Sequence, residues 1–169
     1  NQMTPLHHRE VGVVGAGLLA DDLMIEIICD KVHLCPEMIA LVFKLKSMHQ
    51  MMLVTDSMAA SWMSDDTYHL GGLSVVVANG EARLPNGALA GSTLRFSQAL
   101  KNVSEITGIR LEQLSRATAL NQARSLGWQG VGELKPGTPA DIVVLNDQFV
   151  PTAVFVDGED KLPAAIAEC

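Results

Sequence analysis

The chain is poor in aromatic residues, which make up 4% of it, and poor in charge, with Asp, Glu, Lys and Arg reaching 18%. It has three cysteines, Cys29, Cys35 and Cys169. They are odd in number and lack metal-ligand spacing, so reduced thiols in a cytoplasmic protein are expected rather than a disulfide framework. A basic face is missing too: 12 Lys and Arg stand against 19 Asp and Glu, a formal net charge of -7. That argues against a nucleic-acid partner, whose phosphates need positive charge. It leaves room for one phosphate on a small ligand, which one or two positive groups can hold. No apolar run reaches the roughly 18 residues of a membrane span, and there is no internal repeat or low-complexity segment. What the chain has in quantity is apolar surface. Hydrophobic residues are 48% of 169, eight methionines among them, enough to pack a core.

The apolar stretches have two textures. Residues 24–29 (MIEIIC) are apolar except for Glu26 and read as a mostly buried strand. Pro36 then stands where a helix tolerates its first residue. Met38, Ile39, Leu41, Val42 and Leu45 recur at helical spacing over 36–47, and 51–55 (MMLVT) is a second buried strand. Strand, helix, strand in that order predicts a parallel pair covered on both faces. Further on, LSVVVANGEARL at 73–84 carries Asn79-Gly80 between two strand-like arms, a hairpin signal. A helix capped by Ser92 or Thr93 is expected next, with Phe96, Ala99, Leu100, Val103 and Ile106 on its apolar face. A second helix covers about 110–119. A third covers 121–126, capped by Asn121 and ended by Gly127. Residues 142–145 and 153–156 read as strands, which with the hairpin could form one small sheet. Residues 12–17 (GVVGAG) read as a glycine-rich loop without the dinucleotide-binding order. Two parallel strands cannot close a barrel, which needs about eight.

Chemistry concentrates at a few points. Asp56 follows a buried strand directly, where parallel sheets and barrels carry reactive groups. It could be a general base, a general acid, a metal ligand, or simply the N-cap of a helix starting at Ser57. His33 stands just after the other strand and could bind an anion, a metal or a hydroxyl, or be a loop histidine bonded to backbone. Arg9, within His7-His8-Arg9-Glu10, could contact a phosphate or carboxylate, or lie in a solvated loop. Leu89-Ala90-Gly91-Ser92 could offer backbone N–H groups to a ligand oxygen at a helix start. His49 and His69 carry no assignment.

In combination and in this order, PLHHRE at 5–10 after Asn1-Gln2-Met3, DKVHLCP at 30–36, LVTDSMAA at 53–60, YHLGG at 68–72 and LPNGALAGST at 84–93 resemble the C-terminal portion of the N-acetylglucosamine-6-phosphate deacetylases, a family of the amidohydrolase superfamily. GELKPGTPADIVVLN at 132–146 resembles the closing strand of the small β domain across many amidohydrolases. The resemblance implies an α/β fold: the last two strands of a (β/α)8 TIM barrel plus part of a small β-sandwich domain. Residues 1–66 would end the barrel with its seventh and eighth strands, and 67–88 would be a β-hairpin of the small domain. Residues 89–130 would be helices returning to the barrel, 131–158 the closing strands, and 159–169 an unassigned tail.

The resemblance also implies roles. Asp56 would take a proton from the attacking water and return it to the leaving amine. His33 would meet the phosphate end of the sugar, with Asn1 and Gln2 beside it. Arg9 would reach the phosphate in a neighbouring subunit of a homodimer, and Leu89, Ala90 and Gly91 would touch substrate through their backbone. The implied cofactor is a divalent metal, zinc or iron or similar, bound upstream by a glutamate and two histidines; no metal ligand carries over to this chain. Asn1 is not an initiator Met and runs straight into loop chemistry, so the chain is expected to be a fragment without the metal shell. Departures from the family pattern are Gln2, Val11, Lys31 in place of a usual glycine, Cys35, Ser61-Trp62 in place of a glycine-containing turn, and Gln122 in place of proline. Two other readings stay open: an amidohydrolase acting on N-acyl amino acids or cyclic amides, and a non-catalytic sugar-phosphate-binding protein.

Overall fold

The structure is a computed structural model and describes residues 2–162. Asn1 and the last seven positions of the expected tail lie outside the described residues.

The centre is built as the apolar pattern requires. Strand β1 (Ile25–Ile28) and strand β2 (Met51–Val54) pair in parallel, Ile25 opposite Met51 through Ile28 opposite Val54. Between them helix α2 (Pro36–Leu45) opens on Pro36, where the missing N–H costs nothing. Glu37 in its first turn and Lys44 in its last suit the helix dipole. Ile39 and Val42 of α2 pack on Ile27, Met51 and Leu53 of the strands. The other side of this core comes from helix α3 (Phe96–Thr107), through Ala99, Leu100 and Val103, and from helix α4 (Leu111–Leu114), through Leu114. Burying such aliphatic side chains contributes about 1.5–3 kcal/mol each.

Helix α1 (Gly12–Leu19) replaces the expected glycine-rich loop. It forms because Thr4 supplies its start from outside: the Thr4 hydroxyl accepts the Val13 N–H at 2.8 Å, and the Thr4 carbonyl accepts that of Val14. Gly15 is buried close to Leu6 and Val11, so the glycine permits a close approach.

Two expected helix caps are corrected. Helix α3 starts after Arg95 without any side-chain cap. The Ser92 hydroxyl donates instead to the Thr55 carbonyl, and the Thr93 hydroxyl to that of Gly80. Asn121 lies inside helix α5 (Leu120–Ser125) rather than at its start. It is fully buried, and its amide donates to the carbonyls of Met48 and Met51, both at 2.7 Å. Ser92 and Asn121 thereby satisfy carbonyls at the two ends of β2, Thr55 and Met51, and Thr93 one in the Asn79-Gly80 turn. Gly127 does end α5, with φ 72.

The antiparallel parts form two three-stranded sheets, not one. In the first, β4 (Leu73–Ala78) lies between β3 (Thr67–Leu70) and β5 (Glu81–Arg83), with Asn79-Gly80 turning between β4 and β5 as expected. Both edges of β4 are thus taken, and the Leu84–Leu89 turn folds back on β5. The second sheet has β7 (Pro151–Val156) between β6 (Ile142–Leu145) and the short β8 (Glu159–Asp160).

Candidate active site

The carboxyl ends of β1 and β2 open on a cleft of about 310 Å³ lined by Met3, Glu26, Ile28, His33, Val54 and Asp56, among others. Strand alternation produces this lining. Ile27 and Leu53 are buried in the core and Glu26 and Val54 alternate with them toward the cleft, while Ile28 touches both the core and the cleft and Ile27 also borders the cleft.

Asp56 has φ 49, in the left-handed region, which is uncommon for a residue with a side chain. Its surroundings enforce that conformation. The Ser92 N–H donates to the Asp56 carbonyl at 2.8 Å, and the Met58 N–H donates to the Ser92 carbonyl at 2.9 Å. Ser57 and Ser92 thereby form a parallel bridge, and the Ser57 hydroxyl donates to the Leu94 carbonyl at 2.8 Å. The residues after Asp56 form turns, so Asp56 is not a helix cap. Its exposed carboxylate stands at the cleft. Gly91 fits against this corner: at φ 69, a Cβ there would lie 3.0 Å from the Asp56 carbonyl oxygen. Leu89, Ala90 and Gly91 do not line the cleft with side chains: Gly91 packs against Asp56, whereas Leu89 bridges Arg83 and the Ala90 N–H donates to the Ala82 carbonyl.

His33 reaches the same cleft from the end of β1. Its ring is held by a neighbour to which sequence reasoning gave no role. Asp30 Oδ2 lies 2.5 Å from His33 Nδ1, and both side chains are nearly buried. Asp30 Oδ1 accepts the N–H groups of Val32 at 2.9 Å and His33 at 2.8 Å. The signal available was an Asp three residues before a His, in a turn where Asp closes on its own backbone. Glu26, the one charge in an apolar strand, was visible but unassigned. Met3 gave no signal.

The remaining expected site residues are not gathered here. Gln2 is exposed next to Met3 and does not line the cleft. Arg9 sits on an exposed turn closed by paired backbone bonds between His7 and Glu10, with its guanidinium 2.8 Å from His8 Nε2. A second, open cleft of about 340 Å³ lies beside Asp30, lined by Asn79, Thr93, Arg95, Gln98 and Asn102 among others. Cys29, between β1 and Asp30, is buried. Burial, and then the charge of Asp30, push its thiol up to about 12, so it remains protonated and unreactive. Among the described residues, no group of three or more His, Cys, Asp or Glu could hold a metal ion.

The sequence pattern of the amidohydrolase family matches residues 2–160. N-acetylglucosamine-6-phosphate deacetylase of Lysinibacillus sphaericus is 39% identical over 150 residues, 89% of this chain and 39% of that protein. An Escherichia coli (strain K12) protein, provisionally named an N-acetylgalactosamine-6-phosphate deacetylase, is 38% identical over 94% of this chain and 95% of its own length. The crystal structure of N-acetylglucosamine-6-phosphate deacetylase from Thermotoga maritima superposes with a TM-score of 0.88 at 45% identity, covering 93% of this chain and 43% of that one. The Mycobacterium smegmatis enzyme in complex with N-acetyl-D-glucosamine-6-phosphate gives 0.87 at 34% identity, covering 95% and 43%. The chain thus spans well under half the length of the Lysinibacillus, Thermotoga and Mycobacterium relatives.

Proposed function

The chain belongs to the amidohydrolase family, and from that premise we propose that it forms the acid–base and phosphate-facing part of an enzyme hydrolysing the acetamide of N-acetylglucosamine 6-phosphate to glucosamine 6-phosphate and acetate. The observation that carries this reading is Asp56: a carboxylate at the mouth of β2, locked in a left-handed conformation, facing one cleft together with His33. In this reading β1 and β2 are the seventh and eighth strands of a (β/α)8 barrel, and the two antiparallel sheets belong to a small β-sandwich domain. The superposition on deacetylase structures supports that placement.

Among the described residues there is no donor set of three for a metal; by the family resemblance the divalent ion, zinc or iron or similar, is assigned to a glutamate and two histidines that no residue of this chain matches. When bound, it supplies Lewis-acid polarisation of the amide carbonyl and a water of lowered pKa. This chain's residues do the rest. Asp56 accepts a proton from the attacking water and delivers it to the departing nitrogen, so that glucosamine leaves as an amine rather than an amide anion. The backbone bonds to Ser92 fix Asp56 for both transfers. His33 meets the phosphate end, and Asn1 and Gln2 are assigned to the same phosphate by the family resemblance, Gln2 from outside the cleft. Leu89, Ala90 and Gly91 meet the substrate through their backbone, and Arg9 reaches the phosphate held by a second copy in a homodimer. Its exposed turn leaves it free for that contact.

The test is acetate release by the assembled enzyme that carries this chain. The substrates are the 6-phosphates of N-acetylglucosamine and of its galactosamine epimer, for which the E. coli relative is named, and free N-acetylglucosamine. Turnover is expected on a phosphorylated sugar. Asp56→Asn should lower kcat by roughly 10²–10⁴-fold, the usual weight of a positioned acid–base group, with metal content unchanged; near-wild-type turnover would sink the assignment. Arg9→Ala should raise KM for the 6-phosphate roughly tenfold, the loss of one charge-assisted contact, and leave the free sugar nearly untouched. An equal loss on both would remove Arg9 from phosphate recognition.

A further inference from the structure

The turn at the end of β1 is more tightly specified than a connection to α2 requires. Asp30 closes it with three bonds at once: two backbone N–H groups on Oδ1 and the His33 ring on Oδ2. Lys31 adopts φ 68 to let the chain turn back over the carboxylate. The strand end before it is pinned from α3. Asn102, itself buried, donates to the Cys29 carbonyl at 2.8 Å, and Gln98 donates to Asn102 Oδ1 at 2.9 Å. The side chains of His33 and Asp30 are 6% and 11% exposed, so water does not compete freely for the bond between them.

We propose that Asp30 is the positioning residue for His33: it holds the ring with hydrogen on Nδ1 and leaves Nε2 as the atom presented to the cleft. A carboxylate oxygen only accepts, so the ring nitrogen facing it at 2.5 Å carries the hydrogen. The other nitrogen is then left for a ligand. Unprotonated, Nε2 accepts from a hydroxyl. Protonated, it donates to an anionic oxygen, and Asp30 behind the ring balances the positive charge of the imidazolium. A half-enclosed histidine without that carboxylate would face an anion with no counter-charge of its own.

The ring state is read by ¹⁵N NMR of histidine-labelled protein, with His33→Gln to identify the signal among the five histidines. In the wild-type protein with the ring neutral, Nδ1 is expected to appear as the N–H nitrogen and Nε2 as the bare one. Asp30→Asn keeps Oδ1 for the two backbone donors but turns an amide N–H₂ toward the ring, so the two nitrogens should exchange roles. A wild-type spectrum with the hydrogen on Nε2 overturns the proposal by itself, even if the variant fails to fold. An unchanged ring state in a folded variant overturns it as well. The consequence for ligand rests on the deacetylase reading and is measured separately. In Asp30→Asn, KM for the amino-sugar 6-phosphate should rise roughly 10- to 100-fold, taking as the scale the loss when the outer partner of a metal-ligating histidine is removed. KM for the free sugar should stay within about twofold. A tautomer exchange without that KM split supports the positioning role and counts against His33 as the phosphate contact.

Discussion

Strand β2 of the parallel pair and strands β6 and β7 of the outer sheet are all mainly apolar, yet the molecule uses them differently. Met51, Met52 and Leu53 of β2 are all buried, whereas no residue of β6 or β7 is. Leu53 is 1% exposed; Val143, at a similar place in β6, is 57% exposed. From the 142–160 region, only Leu145 and Phe149 are packed against the central core among the described residues. The groups proposed for function follow the same division. Asp56, His33 and Asp30 all stand at the carboxyl ends of the parallel pair. A carboxylate can be held to a fixed geometry only if the backbone beneath it cannot move, and full burial of β2 on one side and the Ser92 bridge on the other provide that.

The sharpest way to break this contrast is a pair of truncations. Leu53→Ala should cost about 2–5 kcal/mol, the transfer and cavity cost of a buried leucine. Val143→Ala should change stability by no more than about 0.5 kcal/mol in this chain. Urea unfolding of the two variants measures both. Comparable losses would mean that β6 is covered in solution and that the two sheets are not energetically distinct.

Gly91→Ala acts at the joint between strand end and loop. A left-handed conformation costs a residue with a Cβ about 1–2 kcal/mol, and the new methyl would meet the Asp56 carbonyl oxygen at 3.0 Å. The expected result is that loss of stability together with a fall in kcat, because the Ser92 bond to Asp56 must shift. Lost stability with kcat intact would show that the loop braces the fold and not the carboxylate.

How much was legible follows from where each signal sits. The strands, α2 and the Asn79-Gly80 hairpin announce themselves in windows of a few residues, because period and turn chemistry are local. That Asp56 and His33 would meet at one cleft was legible from their place after the two parallel strands. Helix α1 was not, because GVVGAGLL has no polar face to mark a helical period and its cap, Thr4, stands nine positions before Val13. Ser92 and Asn121 were misread for a related reason. Each has ordinary capping chemistry, but its partner lies 37 residues away at Thr55 for the one, and 70 away at Met51 for the other. Asp30 was missed because its value lies in how a turn folds its carboxylate over His33, which spacing alone suggests only weakly.

The smallest predicted effect concerns that same turn. Lys31 stands where the family resemblance has glycine, and it holds φ 68. Its exposed ammonium lies 3.2 Å from Glu105, a surface pair worth about 0–1 kcal/mol. Lys31→Gly removes a left-handed penalty of about 1–2 kcal/mol. It gives back about 0.5–1 kcal/mol, because glycine loses more freedom on folding, and also the weak ion pair. At the midpoints of these figures the balance is a stabilisation of only about 0.3 kcal/mol, seen as little or no change in Tm, with the Asp30–His33 bond unchanged. A loss above about 1 kcal/mol would mean that the Lys31–Glu105 contact between the turn and α3 fixes the end of β1 more strongly than an exposed pair can. The rigidity of the cleft would then depend on the surface as well as on the buried strands.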